Sequence, residues 1–441
     1  MDIRPILSTL LRHKTAAALI VLEIALTCAI ICNALFMISD RVAQMSEVSG
    51  VAEDELVRIR VGSIGNDPDA VARTRSDLAA LRAIPGVKAA TVLNQVPYGD
   101  SSWNSGVRLD PDQQQMTLNA TTYLAEEQFM DTLGLKLVAG RTFNPDEYQD
   151  SGPLLNAVGG DFSIPVAIIT RRMAERLFPG EDPIGKEFYS WSARPTRVVG
   201  VVEHLVRPNN VGGPGAREYA MVFPLRSDYH MGGSGTYLLR TDPERRQEVL
   251  EAARKVLQAG GADRIIRDQD CRTLEQMRRD YFRGPRSMAW LLGTVCVALL
   301  LVTALGIIGL ASFWVQQRTK QIGVRRALGA TRGQILRYFQ TENFLLATVG
   351  ILLGMVLAFA INQVLMGRYD LARLPLWYLP VGAVLLWGLG QLAVLPPARR
   401  AASISMGSVA MRAPASTMSA AVLRPADLAR AAIVSRSAAT A

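Results

Sequence analysis

From Met288 to Val315 the sequence carries no charged residue, and a helix of that length exceeds the ~20 residues needed to cross the hydrocarbon core of a bilayer. Three more stretches are comparably apolar: Thr15 to Ile38, broken only by Glu23, about Phe344 to Ile361, and about Leu376 to Leu395. The first is too long for a signal-peptide core. Four transmembrane helices are therefore expected, at 15–38, 288–315, 341–366 and 376–395. The 49% hydrophobic composition with only 7% aromatics makes the apolar excess aliphatic, as membrane spans require.

A net charge of +9 raises the question of nucleic acid, and the placement of the charges answers it. Residues 1–14 hold Arg4, Arg12 and Lys14 against Asp2. The stretch Val315 to Gln340 holds Arg318, Lys320, Arg325, Arg326, Arg332 and Arg337 with no acid, and the tail after Pro397 has six arginines against Asp427. These segments alone exceed the charge of the whole chain, so the remainder is net acidic. The basicity marks the cytoplasmic side of a membrane protein and gives no reason to expect a nucleic-acid partner. Both termini and the loop 316–340 fall inside the cell, and the large segment 40–286 falls outside.

Before the first span, Ile3, Ile6, Leu7, Leu10 and Leu11 recur at helical spacing among cations. Such a segment, 1–14, suits an amphipathic helix lying on the inner leaflet, or an ordinary short cytoplasmic helix. Glu23 lies about a third of the way into span one, where a carboxylate is costly enough to mark a functional candidate. It either packs against a polar group of a neighbouring helix or serves a transport relay. Thr27 and Asn33 in the same span favour packing, since they suggest a helix facing protein throughout. In span three, Gly350, Gly354 and Ala358 stand four apart, a spacing that permits close helix approach.

The outer segment alternates short strands and helices. Leu56 to Val61, Val87 to Val96 and Gln115 to Tyr123 read as strands, and Ala70 to Ala83 and Glu126 to Leu133 as helices. Near its end come a strand at Thr236 to Arg240, a helix at Pro243 to Ala259 closed by Gly260-Gly261, and a strand at Asp263 to Arg267. These β-α-β units predict an α+β domain with parts at about 53–140 and 230–270. Between them, about 141–229, Gly- and Pro-rich turns surround strands at Val166 to Thr170 and Arg197 to Glu203 and a helix at Arg171 to Phe178, reading as an inserted subdomain.

Several motifs carry no chemistry. Gly180 to Glu187 approaches a phosphate-binding loop, but Glu187 stands where a Ser or Thr hydroxyl would bind magnesium. His204 and His230 lack carboxylate or cysteine partners at ligand spacing. Cys28, Cys32 and Cys296 lie in apolar spans and leave Cys271 alone, so neither a disulfide framework nor a metal cluster follows. No catalytic constellation stands out and no cofactor is expected.

The loop after span two reads Gln317-Arg318-Thr319-Lys320-Gln321-Ile322-Gly323-Val324-Arg325-Arg326-Ala327-Leu328-Gly329-Ala330-Thr331-Arg332-Gly333-Gln334-Ile335-Leu336. It predicts one or two surface helices with joints at Gly323, Gly329 and Gly333, suited to anchoring on anionic lipid or to receiving a partner. The stretch resembles the cytoplasmic loop of FtsX-like and MacB-like permeases, membrane subunits of the mechanotransmission class of ABC transporters. The resemblance continues through Leu365 and ends at Pro396-Pro397-Ala398-Arg399-Arg400. It extends to the family's periplasmic core domain at Gly140-Arg141-Thr142-Phe143, Val166 to Lys186 and Val198 to Val202.

The resemblance implies a bacterial inner-membrane protein whose segment 40–286 is periplasmic and whose ATP-hydrolysing subunit is a separate chain. Arg318, Lys320, Gln321, Gly323, Arg325, Arg326, Gly329, Ala330 and Arg332 would couple to that ATPase. At Gln321 the family usually has Glu, which leaves in doubt any ion pair expected from that acid. A second permease, identical or paralogous, would complete the unit, and a membrane-fusion protein could join it. Motion would pass through span two and its extension from Cys271 to Gly284. The work would be export of a peptide, antibiotic, lipoprotein or lipid; the rivals are an FtsX-like regulator of a periplasmic hydrolase or sensor, and a membrane-anchored receptor without an ATPase. The tail 397–441 is expected to be disordered.

Overall fold

The computed structural model describes residues 14–64, 67–150, 164–209, 217–229, 234–261, 263–369 and 373–403. The expectations for residues 1–13, for His230 and for the tail beyond 403 lie outside them. The chain begins with the long helix α1 (Lys14–Ser46) and continues through β1 (Leu56–Ser63), α2 (Ala70–Arg82), β2 (Val87–Leu93), β3 (Asn104–Val107), β4 (Leu118–Ala125), α3 (Phe129–Leu133), β5 (Leu137–Gly140) and β6 (Gln149–Asp150). There follow β7 (Val166–Thr170), α4 (Arg171–Leu177), β8 (Glu187–Phe188), β9 (Thr196–Val202), β10 (Ala220–Arg226), β11 (Ser234–Thr241), α5 (Arg246–Ala259), β12 (Arg264–Ile265) and β13 (Cys271–Thr273). Helices α6 (Leu274–Tyr281), α7 (Arg283–Gln317), α8 (Thr319–Ala327), α9 (Arg332–Tyr369) and α10 (Tyr378–Ser403) complete it. Two compact units result, Met1–Asp40 with Ala289–Ala441, and Arg41–Met288.

In the outer unit the described strands form one sheet. One half has the order β12-β1-β11-β2, with β11 antiparallel to both β1 and β2. Strands β1 and β2 are thus parallel but separated by β11, and α2 crosses between them; α5 likewise links β11 to β12 across β1. Two interleaved split β-α-β units of this kind make a ferredoxin-like half. Helices α2 and α5 cover one face, where Val57, Ile59 and Val61 meet Leu78, Leu81, Val249 and Leu257. Alternation along the strand sends Leu56, Arg58 and Arg60 to the other face.

The chain leaves this half after Leu93 and returns at Ser234. The elements at Leu118–Ala125 and Leu137–Gly140, expected with the outer parts, hydrogen-bond instead to β10 and β9. Their partners are 60 to 100 positions away, so no local signal could set that boundary. In this second half β7 and β9 are parallel neighbours crossed over by α4. Strand β10, bonded to both β4 and β7, was not expected. It is almost wholly buried, so its sequence lacks strand alternation, and Pro224 argues against a central strand. The two halves meet through β2 and β4 at a single register pair, Leu93 with Ala125.

Glu126 follows this joint, is buried, and leaves Oε2 without a hydrogen-bond partner. Burial, only partly offset by Arg82, Arg226 and Arg75, pushes its carboxyl up to about 7.

In the second unit four helices are long and apolar enough to cross a membrane, among the described residues. They outrun the expected spans: α9 starts at Arg332 and α10 continues through Pro396 and Pro397 to Ser403. The prolines, expected just beyond the last span, therefore stand inside a helix and forgo two of its amide donors. Along its most apolar window α1 is 61% buried, against 17% for the α7 window, which makes α1 the central helix of this unit.

Small residues let the others close on α1. A Cβ on Gly350 would stand 2.9 Å from the Ile24 Cβ, one on Gly354 2.5 Å from the Cys28 Cβ, and one on Gly382 2.5 Å from the Cys32 Sγ. Gly306 of α7 lies against Glu23, whose Oε2 a Cβ there would meet at 2.7 Å. The hydroxyls of Thr27 and Thr303 are 2.9 Å apart, and Asn33 Nδ2 donates to the Ala358 carbonyl at 3.1 Å. Where helices gain nothing from excluding water, backbone approach and such hydrogen bonds hold them together.

Two outcomes follow. Because the folded pKa of Glu126 lies above its ordinary 4.5, its stabilising contribution is fully present below pH 4.5 and is lost as pH rises through 7. Glu126→Gln should flatten that slope and raise stability at pH 8 by about 3 kcal/mol, read from denaturant unfolding of the full chain. Gly354→Leu should separate α9 from α1 and cost about 1–3 kcal/mol or more, read by unfolding in mixed micelles, while Gly367→Leu, with open space at its Cβ, should cost little.

Candidate functional site

The loop between α7 and α9 is built around one ion pair. Helix α7 ends at Gln317, and Arg318 turns inward so that both its terminal nitrogens reach Glu342, at 3.0–3.2 Å. The side chains are 12% and 2% exposed, and the guanidinium lies 5.7 Å from the centre of the Trp314 ring. Planar two-pronged pairing of this kind fixes geometry as well as charge. The pair joins the start of α8 to the first turns of α9. Ile322 of α8 and Ile335 and Phe339 of α9 belong to the same buried cluster as Trp314 and Val315.

The two short helical ends are capped by their own sequence. Gly329 has φ +95° and the Ala330 amide donates to the Arg325 carbonyl at 3.0 Å, the left-handed stop that glycine permits. Thr331 and Gln334 then exchange side chain-to-backbone bonds of 2.9 and 3.3 Å, a capping box that begins α9. Of the three expected glycine joints, only Gly329 breaks the chain. Gly323 lies buried within α8, and Gly333 lies within α9, so the loop is one helix followed by the leading turns of a long one.

The expected coupling residues divide accordingly. Arg318 is committed to Glu342 and Gly323 to packing, whereas Gln321, Arg325, Gly329 and Arg332 are exposed and Ala330 is half-buried. Arg325 lies 5.3 Å over the Tyr338 ring. Arg332 opens α9, where a cation opposes the helix dipole, so the fold gains nothing from it. Beside these cations, Val324 and Leu328 are 58% and 82% exposed. The side chains of Lys320 and Arg326 lie outside the described ones. Sequence reasoning missed Glu342; its signal was an acid at the mouth of span three, 24 positions from its partner.

A second arrangement, in the outer unit, was also missed. Arg278 of α6 pairs with Glu53 at 2.6 Å and donates to the carbonyls of Met45 and Glu47 at 2.8 and 3.2 Å. It also lies over the rings of Tyr98 and Phe282, and the Tyr98 hydroxyl donates to Glu53 at 2.7 Å. Burial, and then the Glu53 carboxylate, push the Tyr98 phenol well up, so it stays a donor. This knot ties the C-terminal end of α1 to the helix that leads directly into α7.

The unused motifs have plain explanations. Lys186 pairs with Glu181 at 2.5 Å, which removes the cation of the false phosphate loop. His204, expected without a carboxylate, has Glu218 at 3.0 Å, brought there by the β9–β10 connection rather than by spacing. No group of three or more metal-ligating side chains occurs among the described residues.

With this geometry in hand, similarity to known proteins is informative. The family profile for the FtsX-like permease C-terminal region matches residues 293–406, and that for the MacB-like periplasmic core domain matches 17–256. The chain is 24% identical over 346 residues to the uncharacterized ABC transporter permease YknZ of Bacillus subtilis, covering 77% of this chain and 80% of that one. It is 26% identical over 250 residues to the macrolide export ATP-binding/permease protein MacB of Neisseria gonorrhoeae, covering 56% of this chain but only 36% of that protein. The chain thus spans about a third of the length of MacB. The solved extracellular domain of YknZ aligns over 48% of this chain and all of its own length at 17% identity, with a TM-score of 0.31. The chain belongs to the family of ABC transporter permeases that combine a MacB-like periplasmic core domain with an FtsX-like C-terminal region.

Proposed function

We propose that this chain couples ATP hydrolysis by a separate ATPase subunit to motion of its periplasmic domain, and that the motion drives export of a peptide, antibiotic, lipoprotein or lipid. Permeases of this family work with an ATPase, and the surface of α8 supports the same role here. The observation that carries the reading is the buried Arg318–Glu342 pair. It makes α8 a rigid extension of the spans instead of a slack tether, so force applied to its outer face would reach α7 and α9 without loss. The outer face offers what a protein partner needs: the cations Arg325 and Arg332 around the exposed apolar side chains of Val324 and Leu328.

In this reading the termini and α8 are cytoplasmic, as the positive-inside rule expects. Displacement of α8 passes along α7 to α6, and the Arg278 knot carries it to the end of α1 and into the outer sheet. The apolar face of α7, with Trp290, Leu291, Leu301 and Leu305 more than half exposed, suits lipid and a second permease chain. A membrane-fusion protein would complete a path outward.

Leu328→Glu with Arg325→Glu should abolish co-purification with the ATPase subunit while leaving the unfolding midpoint of the permease unchanged; undiminished ATPase binding would remove α8 as the coupling surface. Glu342→Gln should behave oppositely. It strands a buried guanidinium, which costs about 3–5 kcal/mol, so the unfolding midpoint in nanodiscs should fall, and ATPase binding only with it.

A further inference from the structure

The face of the ferredoxin-like half opposite α2 and α5 carries an arginine cluster beside the packing of Leu56 and Leu238 against α6. Arg58 and Arg60 alternate along β1 on that face, and Arg272 of β13 stands directly opposite Arg58 in the ladder. Like charges facing each other across antiparallel strands destabilise a sheet, so the placement calls for compensation. Arg272 receives it from Asp280, and Arg267 from Asp270 at 2.7 Å. Arg58 does not: it is 7% exposed, its Nε has no hydrogen-bond partner, and no ion pair reaches it among the described residues. Burial holds its guanidinium below the usual arginine range, with repulsion from Arg60 and Arg272 adding to the effect and Asp270 and Asp100 opposing it.

These four arginines line a cavity of about 590 Å³ together with Tyr98, Met277 and Tyr281 and with the acids Asp100, Asp270 and Asp280, so four guanidinium groups face three carboxylates. The volume falls in the range of small-molecule sites, which combine apolar walls with a few convergent polar groups. A guanidinium has five donors and no acceptor, and leaving it buried and unpaired is among the costliest arrangements in a protein interior. An oxyanion entering the cavity would supply the acceptors that Arg58 lacks and would screen it from Arg272. The tyrosine and methionine walls would take an apolar body attached to that anion.

We propose that this cavity is a binding site for a small molecule carrying a carboxylate or phosphate group on an apolar body, with Arg58 as the anchoring cation. The proposal is independent of the coupling role of α8. It is tested on the full chain in phosphatidylcholine nanodiscs, by calorimetric titration with benzoate, phenyl phosphate and benzylammonium. Benzoate or phenyl phosphate, whichever geometry fits, should bind saturably at one site per chain, and benzylammonium should not. Arg58→Met should weaken the anion at least tenfold. Asp100→Asn, which removes an exposed acid facing Arg58 and leaves the core intact, should tighten it two- to threefold and decides the matter if Arg58→Met fails to fold. The assignment falls if neither anion saturates, if the cation binds as well, or if Asp100→Asn and a folded Arg58→Met both bind as the unaltered chain does.

Discussion

The close approach of three helices to α1 is the constraint on which the membrane unit depends. In hydrocarbon the exclusion of water no longer drives apolar helices together, so contact has to come from backbone proximity and from polar groups that can find partners only in one another. Gly350 and Gly354 bring α9 within reach of Ile24 and Cys28, Gly382 does so for α10, and Gly306 makes room for Glu23. Asn33 then reaches a carbonyl of α9, and Thr27 meets Thr303 of α7. Larger residues at these glycines would hold the backbones apart and leave the polar groups of α1 unmatched.

The Arg318–Glu342 pair extends the same economy to the edge of the membrane. Removing two charges from water is favourable only where the geometry is nearly ideal, and here a planar, two-pronged contact backed by Trp314 meets that condition. The energy so invested holds α8 at a fixed attitude to α7 and α9. The outer domain uses buried charge in a comparable way: Asp77 joins Arg264 at 2.8 Å and accepts from Tyr237, linking α2, β11 and β12. By contrast, its two half-sheets meet at one residue pair, next to the buried carboxyl of Glu126. Little backbone pairing therefore joins the halves, and a shared apolar cluster in which Leu56, Leu93 and Leu238 meet Tyr123, Val166 and Val222 carries the join.

Much of this was legible in residue order. The four spans follow from long, nearly unbroken apolar runs, and most strands and helices of the outer domain from local periodicity: Leu56–Ser63, Ala70–Arg82 and Arg246–Ala259 lie where alternation and helical spacing put them. Strand β10 was not legible, because burial on both faces erases alternation and Pro224 contradicts it. The extent of the insertion was not legible either, since strands of one half find partners far along the chain.

The candidate site divides along the same line. Sequence by itself determined that the loop after span two is basic and helical, and its polar residues pointed to a protein-facing span one, because charge and hydropathy are properties of single segments. Only the tertiary structure decided that Arg318 turns inward to Glu342 while Arg325 and Leu328 face out, that Gly329 alone breaks the loop, and that Arg58 and Arg272 share a cavity. Those facts depend on which distant residues become neighbours, and spacing along a chain carries no record of proximity created by a sheet ladder or by helices packed across a membrane.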